Sequence, residues 1–279
     1  MDKGLDAREL LVLEAGRPDA HYWRDLWRYR ELFYFLAWRD VSVRYKQATI
    51  GIAWAVLRPL LTMAVFTVVF SKFARLPDDG VPYPLLVMTG MLPWFLFSSA
   101  WSESGTSLVA NSNLLTKVYF PRLIVPFSAA GVALVDFMVS MVLLAGLMLW
   151  FGIAPGWRLL ALPPLTVLAI APALGLGLWF AALNVKYRDF QYAVPFLLQL
   201  GLYVSPVGFS TSVVPEQWRP LYTVNPMVGV IEGFRWAVLD TDAPFPADAL
   251  AMTLAVSAVL IVTGVRYFRQ TERSFADVV

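Results

Sequence analysis

Three charged residues lie inside stretches of the chain that are otherwise long and apolar. Arg58 and Glu103 fall toward one end of two such stretches, and Asp136 falls well inside a third. A charge in a hydrocarbon layer costs roughly 2.5–3.5 kcal/mol on insertion scales, so such a side chain usually has a partner. We expect Arg58 either to pair with Glu103 at a similar depth or to contact a lipid phosphate. Asp136 could form a structural hydrogen bond, line a watery pathway or relay protons.

The apolar stretches around these charges are those of a membrane protein. The 279-residue chain is 58% hydrophobic and 15% charged, with a mean hydropathy of +0.62. Soluble domains are roughly 45–50% apolar and about 25% charged. The apolar runs are continuous and do not alternate, which excludes the pattern of a membrane barrel. We therefore predict an all-α polytopic membrane protein.

Six segments are long enough to be spanning helices, each of which needs about 20 mostly apolar residues. They lie at about 51–71, 84–107, 123–151, 159–183, 192–209 and 247–267. The predicted organisation is a tail (1–21), an interfacial helix (22–46), a six-span domain (51–267) and a C-terminal segment (268–279).

Residues 22–46 mix tryptophan and arginine too closely for a spanning segment. This mixture is typical of an amphipathic helix in the lipid headgroup layer, although a helix packed on a soluble partner would show it too.

The stretch 210–246 is too apolar for a free loop and contains a helix start at Asn225–Pro226. Asn is a good N-cap and Pro suits the first helical position. The following apolar residues are too few to cross a bilayer, so we predict short re-entrant helices before the last span.

The distribution of lysine and arginine predicts the orientation. Sixteen of the 22 positive residues lie on the side of the two termini and five on the opposite side, with Arg58 inside a span. Positive residues concentrate on the cytoplasmic side, so both termini are expected in the cytoplasm, which an even number of spans allows.

Motifs for chemistry are missing from the chain. It has no G-x-x-x-x-G-K-[S/T] phosphate loop, no G-x-S-x-G and no H-E-x-x-H. There is no cysteine, and the single histidine, His21, cannot build a metal site alone. We predict no catalytic residue and no metal site. If the protein does energy-driven work, the energy must come from another chain.

Several segments together resemble a known family of membrane proteins. They are RDVSVRYKQATIGIAWAVLRPL (39–60), GMLPWFLFSSA (90–100), NSNLLTKVYFPRLIVP (111–126), NVKYRDFQYAVPFLLQ (184–199), SPVGFS (205–210) and NPMVGVIEGFR (225–235). In this order and spacing they resemble the permease subunits of type-2 ABC exporters, in particular the O-antigen and polysaccharide export branch near capsule and teichoic-acid exporters. The resemblance covers about residues 22–270.

The resemblance implies a homodimer in a bacterial inner membrane, paired with two copies of a separate ATPase. The cargo would be an undecaprenyl-diphosphate-linked polysaccharide moved from the cytoplasm to the outer leaflet. No cofactor is expected on this chain, because ATP and Mg would bind the partner ATPase. No nucleic-acid partner is expected.

The resemblance also implies roles for particular residues. ATPase coupling falls on the loop between spans two and three and on the next loop of that side: Asn111, Asn113, Leu115, Lys117, Tyr119, Pro121, Arg122 and Arg188. The interfacial helix would lie where the lipid diphosphate enters. The candidates for a lipid-phosphate site or gate are therefore Arg39, Arg44, Tyr45, Arg58 and Glu103.

Aromatic side chains could let a glycan slide, because they stack on apolar sugar faces without gripping one sugar. Trp94, Phe95, Phe97 and Trp101 on span two and Tyr203 on span five are the candidates for a glycan channel. The alternative is that these rings belong to the core or to interfacial belts.

The sequence also allows two other functions. One is an ABC exporter of teichoic acid, capsule or another lipid. The other is an ion-coupled carrier or channel, which would normally show internal repeats and several intramembrane ionisable groups; we see no repeat.

Overall fold

A computed structural model describes residues 22–46, 51–78, 80–118, 120–239 and 243–272. Within these ranges the regular structure is entirely helical. The helices are α1 (Tyr22–Arg28), α2 (Arg30–Lys46), α3 (Gly51–Phe66), α4 (Tyr83–Ala110), α5 (Ser112–Lys117), α6 (Ile124–Trp150), α7 (Leu162–Lys186), α8 (Phe190–Val204), α9 (Arg219–Tyr222), α10 (Pro226–Val238) and α11 (Ala247–Glu272). The prediction of an all-α polytopic protein is confirmed. The proposed tail 1–21, His21 and Tyr119 lie outside the described residues.

Five helices are long and apolar enough to cross a membrane. They are Ala53–Phe73 (α3 with its π-helical continuation), α4, α6, Trp157–Lys186 (a 3-10 turn followed by α7) and α11. The predicted fifth span, 192–209, corresponds to the apolar helix α8, which has 15 residues and ends before the predicted boundary. It ends at Val204 because Ser205 is extended before Pro206, and the residue before a proline is disfavoured in the helical region.

Helix α4 is the centre of the bundle. It packs mainly between α6 and α7 and also contacts α3, α8 and α10. Two of its buried hydroxyls donate to backbone carbonyls: Thr89 to Leu85 O at 2.8 Å, and Ser104 across to Pro126 O of α6 at 2.8 Å. These bonds satisfy two polar groups of the buried helix, whereas the buried indole N–H of Trp101 has no hydrogen-bond partner among the described residues.

We call the end of the bundle where α4 ends and α6 begins the basic end. A second apolar core closes it, in which Leu36 of α2 and Phe268 of α11 pack with Leu108 of α4 and Phe120. The opposite end carries residues 205–239.

Helices α7 and α11 cross at two glycines. A Cβ on Gly175 would lie 2.7 Å from the backbone carbon of Leu260, and a Cβ on Gly264 would lie 2.5 Å from the carbonyl oxygen of Gly175. Small residues let membrane helices approach this closely. The Gly175/Gly177 pair in the sequence thus marks a helix contact.

Substituting Gly175→Ala should destabilise the chain by about 1–3 kcal/mol, because the added methyl meets backbone that cannot move aside. The measurement is the thermal unfolding midpoint in detergent. Gly146→Ala is the matched control, since nothing lies within 4 Å of its Cβ position. Equal midpoints for the two variants would contradict the close crossing.

The stretch before the last span folds back into the bundle as short helices. Two 3-10 turns, Thr211–Val213 and Glu216–Trp218, precede α9 and α10. The predicted helix start is confirmed: Asn225 caps α10 by accepting a hydrogen bond from Met227 N at 3.0 Å. Helix α10 is largely buried against α4, α7 and α11, so its apolar residues belong to the core.

The predicted interfacial segment forms two helices, separated at Tyr29. Leu36 is buried, whereas Trp23, Trp27, Tyr34, Phe35 and Trp38 are each more than half exposed. A row of exposed aromatics beside arginines fits the headgroup layer. Helix α2 packs on α6, where Ala37 faces Gly131.

Candidate functional site

Three arginines follow helix α4 from the basic end toward its middle. The first, Arg39 on α2, donates to Asn111 Oδ1 at 2.6 Å and to Asp40 Oδ1 at 2.7 Å. Asn111 directly follows the last residue of α4, so Arg39 marks the level where the bundle begins.

The second arginine, Arg44, joins three helices. Its Nη2 donates to Glu103 Oε1 of α4 at 3.1 Å, and its Nη1 donates to Asp136 Oδ2 of α6 at 3.1 Å. The neighbouring Tyr45 donates its hydroxyl to Asp136 Oδ1. Burial and the Asp136 carboxylate raise the pKa of Tyr45, so its hydroxyl keeps its proton and acts as a donor.

The third arginine, Arg58 of α3, lies over the ring of Phe95 at 5.1 Å from its centroid. Phe95 is eight residues before Glu103, about 12 Å deeper along α4. The expected pairing of Arg58 with Glu103 is therefore wrong, since Glu103 pairs with Arg44. The physical reason is the placement of α2, which packs on α6 and extends Arg39 and Arg44 to Asn111 and Glu103 at the end of α4. Helix α3 consequently meets α4 near its middle.

A shallow, open pocket lies between α3, α4 and α6. It is lined by Trp54, Ala55, Arg58, Pro59, Leu92, Phe95, Leu96, Ser99, Ala133, Asp136, Phe137 and Ser140. One guanidinium, one carboxylate and two hydroxyls thus face an otherwise apolar wall. Such a lining suits a ligand with an anionic head and an apolar body.

Most of the predicted channel aromatics are core residues in this structure. Trp94, Phe97 and Trp101 are at most 7% exposed, and they pack in series onto Phe180 of α7. Their predicted role in lining a glycan channel does not fit this burial, because a ring packed inside the bundle cannot reach a sugar. Phe95 borders the pocket and Tyr203 is 62% exposed, so their role stays a prediction.

The residues predicted to couple to an ATPase separate into exposed and buried sets. Asn113, Lys117 and Arg188 are exposed. Leu115 and Pro121 are buried, and Leu115 packs α5 into the second apolar core. The coupling role itself stays a prediction.

Arg122 connects the α5 loop to the end of the last helix. Its backbone N–H donates to Glu272 Oε1 at 3.0 Å, and its Nη1 donates to Glu272 O at 2.6 Å. Tyr22 of α1 packs against the same place, with Arg269 lying 4.4 Å from its ring centroid. The predicted coupling residue Arg122 therefore has an internal structural role.

One structural cation was not predicted. Arg235 of α10 donates to the carbonyls of Pro206 at 2.7 Å, Phe209 at 2.9 Å and Val207 at 3.2 Å. These carbonyls belong to the non-helical backbone after α8. No helical hydrogen bond is therefore available to them, and the arginine supplies the donors. In the sequence, the signal for this contact was Arg235 itself, an arginine in the apolar helix that comes after the segment S-P-V-G-F-S (205–210).

Because Arg235 holds this backbone, Arg235→Ala should expose it. Val207 is fully buried, and the chain has no native cysteine, so Val207→Cys reports on the segment. We expect maleimide labelling of Val207→Cys to accelerate roughly tenfold or more when Arg235→Ala is added, through local opening. Arg219→Ala, which removes an arginine bonded to Val214 O nearby, is the control and should leave the cysteine protected. Equal labelling with and without Arg235→Ala would contradict this role.

Comparison with known proteins decides the family. The model of the family described as "ABC-2 type transporter" matches residues 31–239, most of the chain and all three arginines. The chain belongs to the ABC-2 type transporter family. Members of this family are permeases, so this chain is a multi-pass transport subunit.

Named relatives of this ABC-2 permease extend over most of its length. It is 29% identical over 257 residues to the O-antigen export system permease protein RfbA of Myxococcus xanthus, covering 91% of this chain and 97% of that protein. It is 24% identical to the RfbA of Klebsiella pneumoniae, covering 86% and 92%. It is also 26% identical to the polysialic acid transport protein KpsM of Escherichia coli, covering 72% and 78%.

Proposed function

We propose that this ABC-2 permease exports a lipid-linked polysaccharide, of the O-antigen type, from the cytoplasm to the outer leaflet of a bacterial inner membrane. The full-length similarity to the RfbA proteins favours the O-antigen type over capsule or teichoic-acid cargo. The observation that carries the proposal is the series of arginines, Arg39, Arg44 and Arg58, leading from the basic end to a pocket with an apolar wall.

This arrangement matches the chemistry of a polyprenyl diphosphate. Arginine guanidinium groups bind phosphate oxygens in a fork, and the apolar wall suits an isoprenoid chain. The basic end faces the cytoplasm in this proposal, because positive residues concentrate there. The diphosphate would then enter beside α2 and move toward Arg58.

A second copy of the chain is part of the proposal. Helix α3 is the least covered spanning helix, with only 6% of its apolar window buried, and α8 exposes Phe196 and Tyr203 by more than half. These faces, on either side of the pocket helix α4, would be covered by the partner protomer. The pocket would then open toward the space between the two copies.

A separate ATPase dimer supplies the energy in this proposal. The chain has no phosphate-binding loop, and its exposed α5 surface at Asn113 and Lys117 lies at the basic end, where a cytoplasmic ATPase could dock. An ion-coupled carrier has less support, because Asp136 is held by Arg44 and Tyr45 rather than isolated as a proton relay.

The test is transport in inverted membrane vesicles that contain the chain and its ATPase. We expect ATP-dependent uptake of an undecaprenyl-diphosphate-linked glycan, and no uptake in vesicles that lack the ATPase. Uptake that persists without the ATPase, or that follows an ion gradient, would replace this proposal by the carrier.

A further inference from the structure

Both terminal nitrogens of the Arg44 guanidinium donate hydrogen bonds to carboxylates in this structure. Glu103 takes Nη2 and Asp136 takes Nη1, each at 3.1 Å. Each carboxylate uses one N–H of a terminal nitrogen, so a phosphate that binds both terminal nitrogens must share them with Glu103 and Asp136 and competes with these carboxylates for the guanidinium. The three side chains are 31–41% exposed, so a ligand can reach them.

The same carboxylates balance the charge around the pocket. Arg44 and Arg58 supply two positive charges, and Glu103 and Asp136 supply two negative ones. A neutral group of four lowers the cost of charges in the membrane. An arriving diphosphate upsets this balance, because it attracts both arginines and repels both carboxylates.

We propose that Glu103 and Asp136 are release residues, which compete with the diphosphate for Arg44 and limit how long it stays bound. This proposal rests on the proposed function as a lipid-diphosphate exporter. A site that passes its cargo onward must bind strongly enough to accept it and weakly enough to let it leave. Two arginines alone would favour binding of the diphosphate, and the two carboxylates favour its release.

The competition also returns the site to its starting state. When the diphosphate leaves, Glu103 and Asp136 bind Arg44 again and rejoin α2 to α4 and α6. Tyr45 keeps Asp136 in place during the exchange, since its hydroxyl bonds the other carboxylate oxygen. The chain thereby uses specific carboxylates to set the affinity for its anionic cargo.

The experiment measures the binding of farnesyl diphosphate to the complete complex in nanodiscs, with inorganic diphosphate as a second probe. Glu103→Gln and Asp136→Asn should each lower the dissociation constant for farnesyl diphosphate about tenfold and slow its release, while transport turnover falls. Asp136→Asn keeps an oxygen that can accept the Tyr45 hydroxyl, so this variant should fold. Tightening with farnesyl diphosphate but not with inorganic diphosphate would assign the site to a lipid headgroup, and equal tightening would assign it to any diphosphate.

The control carboxylate is Glu216, which is paired with Arg219 at the opposite end. Glu216→Gln should leave the dissociation constant unchanged. If Arg44→Ala and Arg58→Ala weaken binding but the release-residue variants do not tighten it, the release role is wrong and the proposed function stands. If the arginine variants leave binding unchanged, the lipid-diphosphate site itself is wrong.

Discussion

Arg58→Ala should reduce transport of the lipid-linked glycan about 10- to 100-fold while the complex stays assembled. The expected loss follows from one charge-assisted hydrogen bond to phosphate, about 1.5–3 kcal/mol, at about 1.4 kcal/mol for each tenfold change. Arg58 lies at the pocket beside Phe95, where no carboxylate neutralises it at hydrogen-bond distance among the described residues. Its charge is therefore available to a phosphate that reaches the middle of α4.

Arg58→Lys separates charge from geometry. Lysine keeps the positive charge but lacks the planar fork, so we expect an intermediate loss of transport. The control is Lys72→Ala, at the far end of the same spanning segment, where the side chain is exposed and away from the pocket. Complex assembly is checked by co-purification with the ATPase. Unchanged transport in Arg58→Ala would remove Arg58 from the cargo path.

The second large effect is expected at the exposed part of the α5 loop. Lys117→Glu combined with Val118→Asp should abolish cargo transport and release the ATPase, although the permease still folds. Both side chains are exposed, Val118 by 52%, so their replacement leaves the core untouched. Reversing a charge and placing another on an apolar contact opposes docking through repulsion and desolvation.

Two comparisons make this result specific. Leu221→Asp places a charge on an apolar residue that is also exposed, by 65%, but lies at the opposite end, and it should leave ATPase binding unchanged. Leu115→Ala removes a buried side chain, so it should lower the unfolding midpoint instead of acting only on docking. If the Lys117→Glu, Val118→Asp variant still binds the ATPase, the ATPase docks on a surface other than the α5 loop.

Local features of the fold were predictable from the sequence, and features that depend on distant contacts were not. The helix start at Asn225 was readable because a capping residue and its proline are adjacent in the chain. The end of α8 is an exception among the local features: it was missed because the apolar pattern continues past Val204, although Pro206 marks the limit.

The candidate site shows the same division. Arg58 and Glu103 could be selected as charged groups in apolar stretches, and Arg39, Arg44 and Tyr45 through the family resemblance of their segment. Their partners could not, because Arg44 meets residues 59 and 92 positions away, and only the course of α2 brings them together. Burial of Trp94 was equally hidden, since core and channel aromatics have the same spacing along one helix.

The tie between Arg122 and Glu272 has a mechanical consequence. From Glu272, α11 runs without interruption to Thr253, about 28 Å away, where the threonine hydroxyl donates to Pro226 O of α10 at 3.0 Å. In the proposed exporter, an ATPase that moves the α5 loop would therefore also move α11, and through Thr253 the displacement would be transmitted to α10 at the opposite end of the bundle.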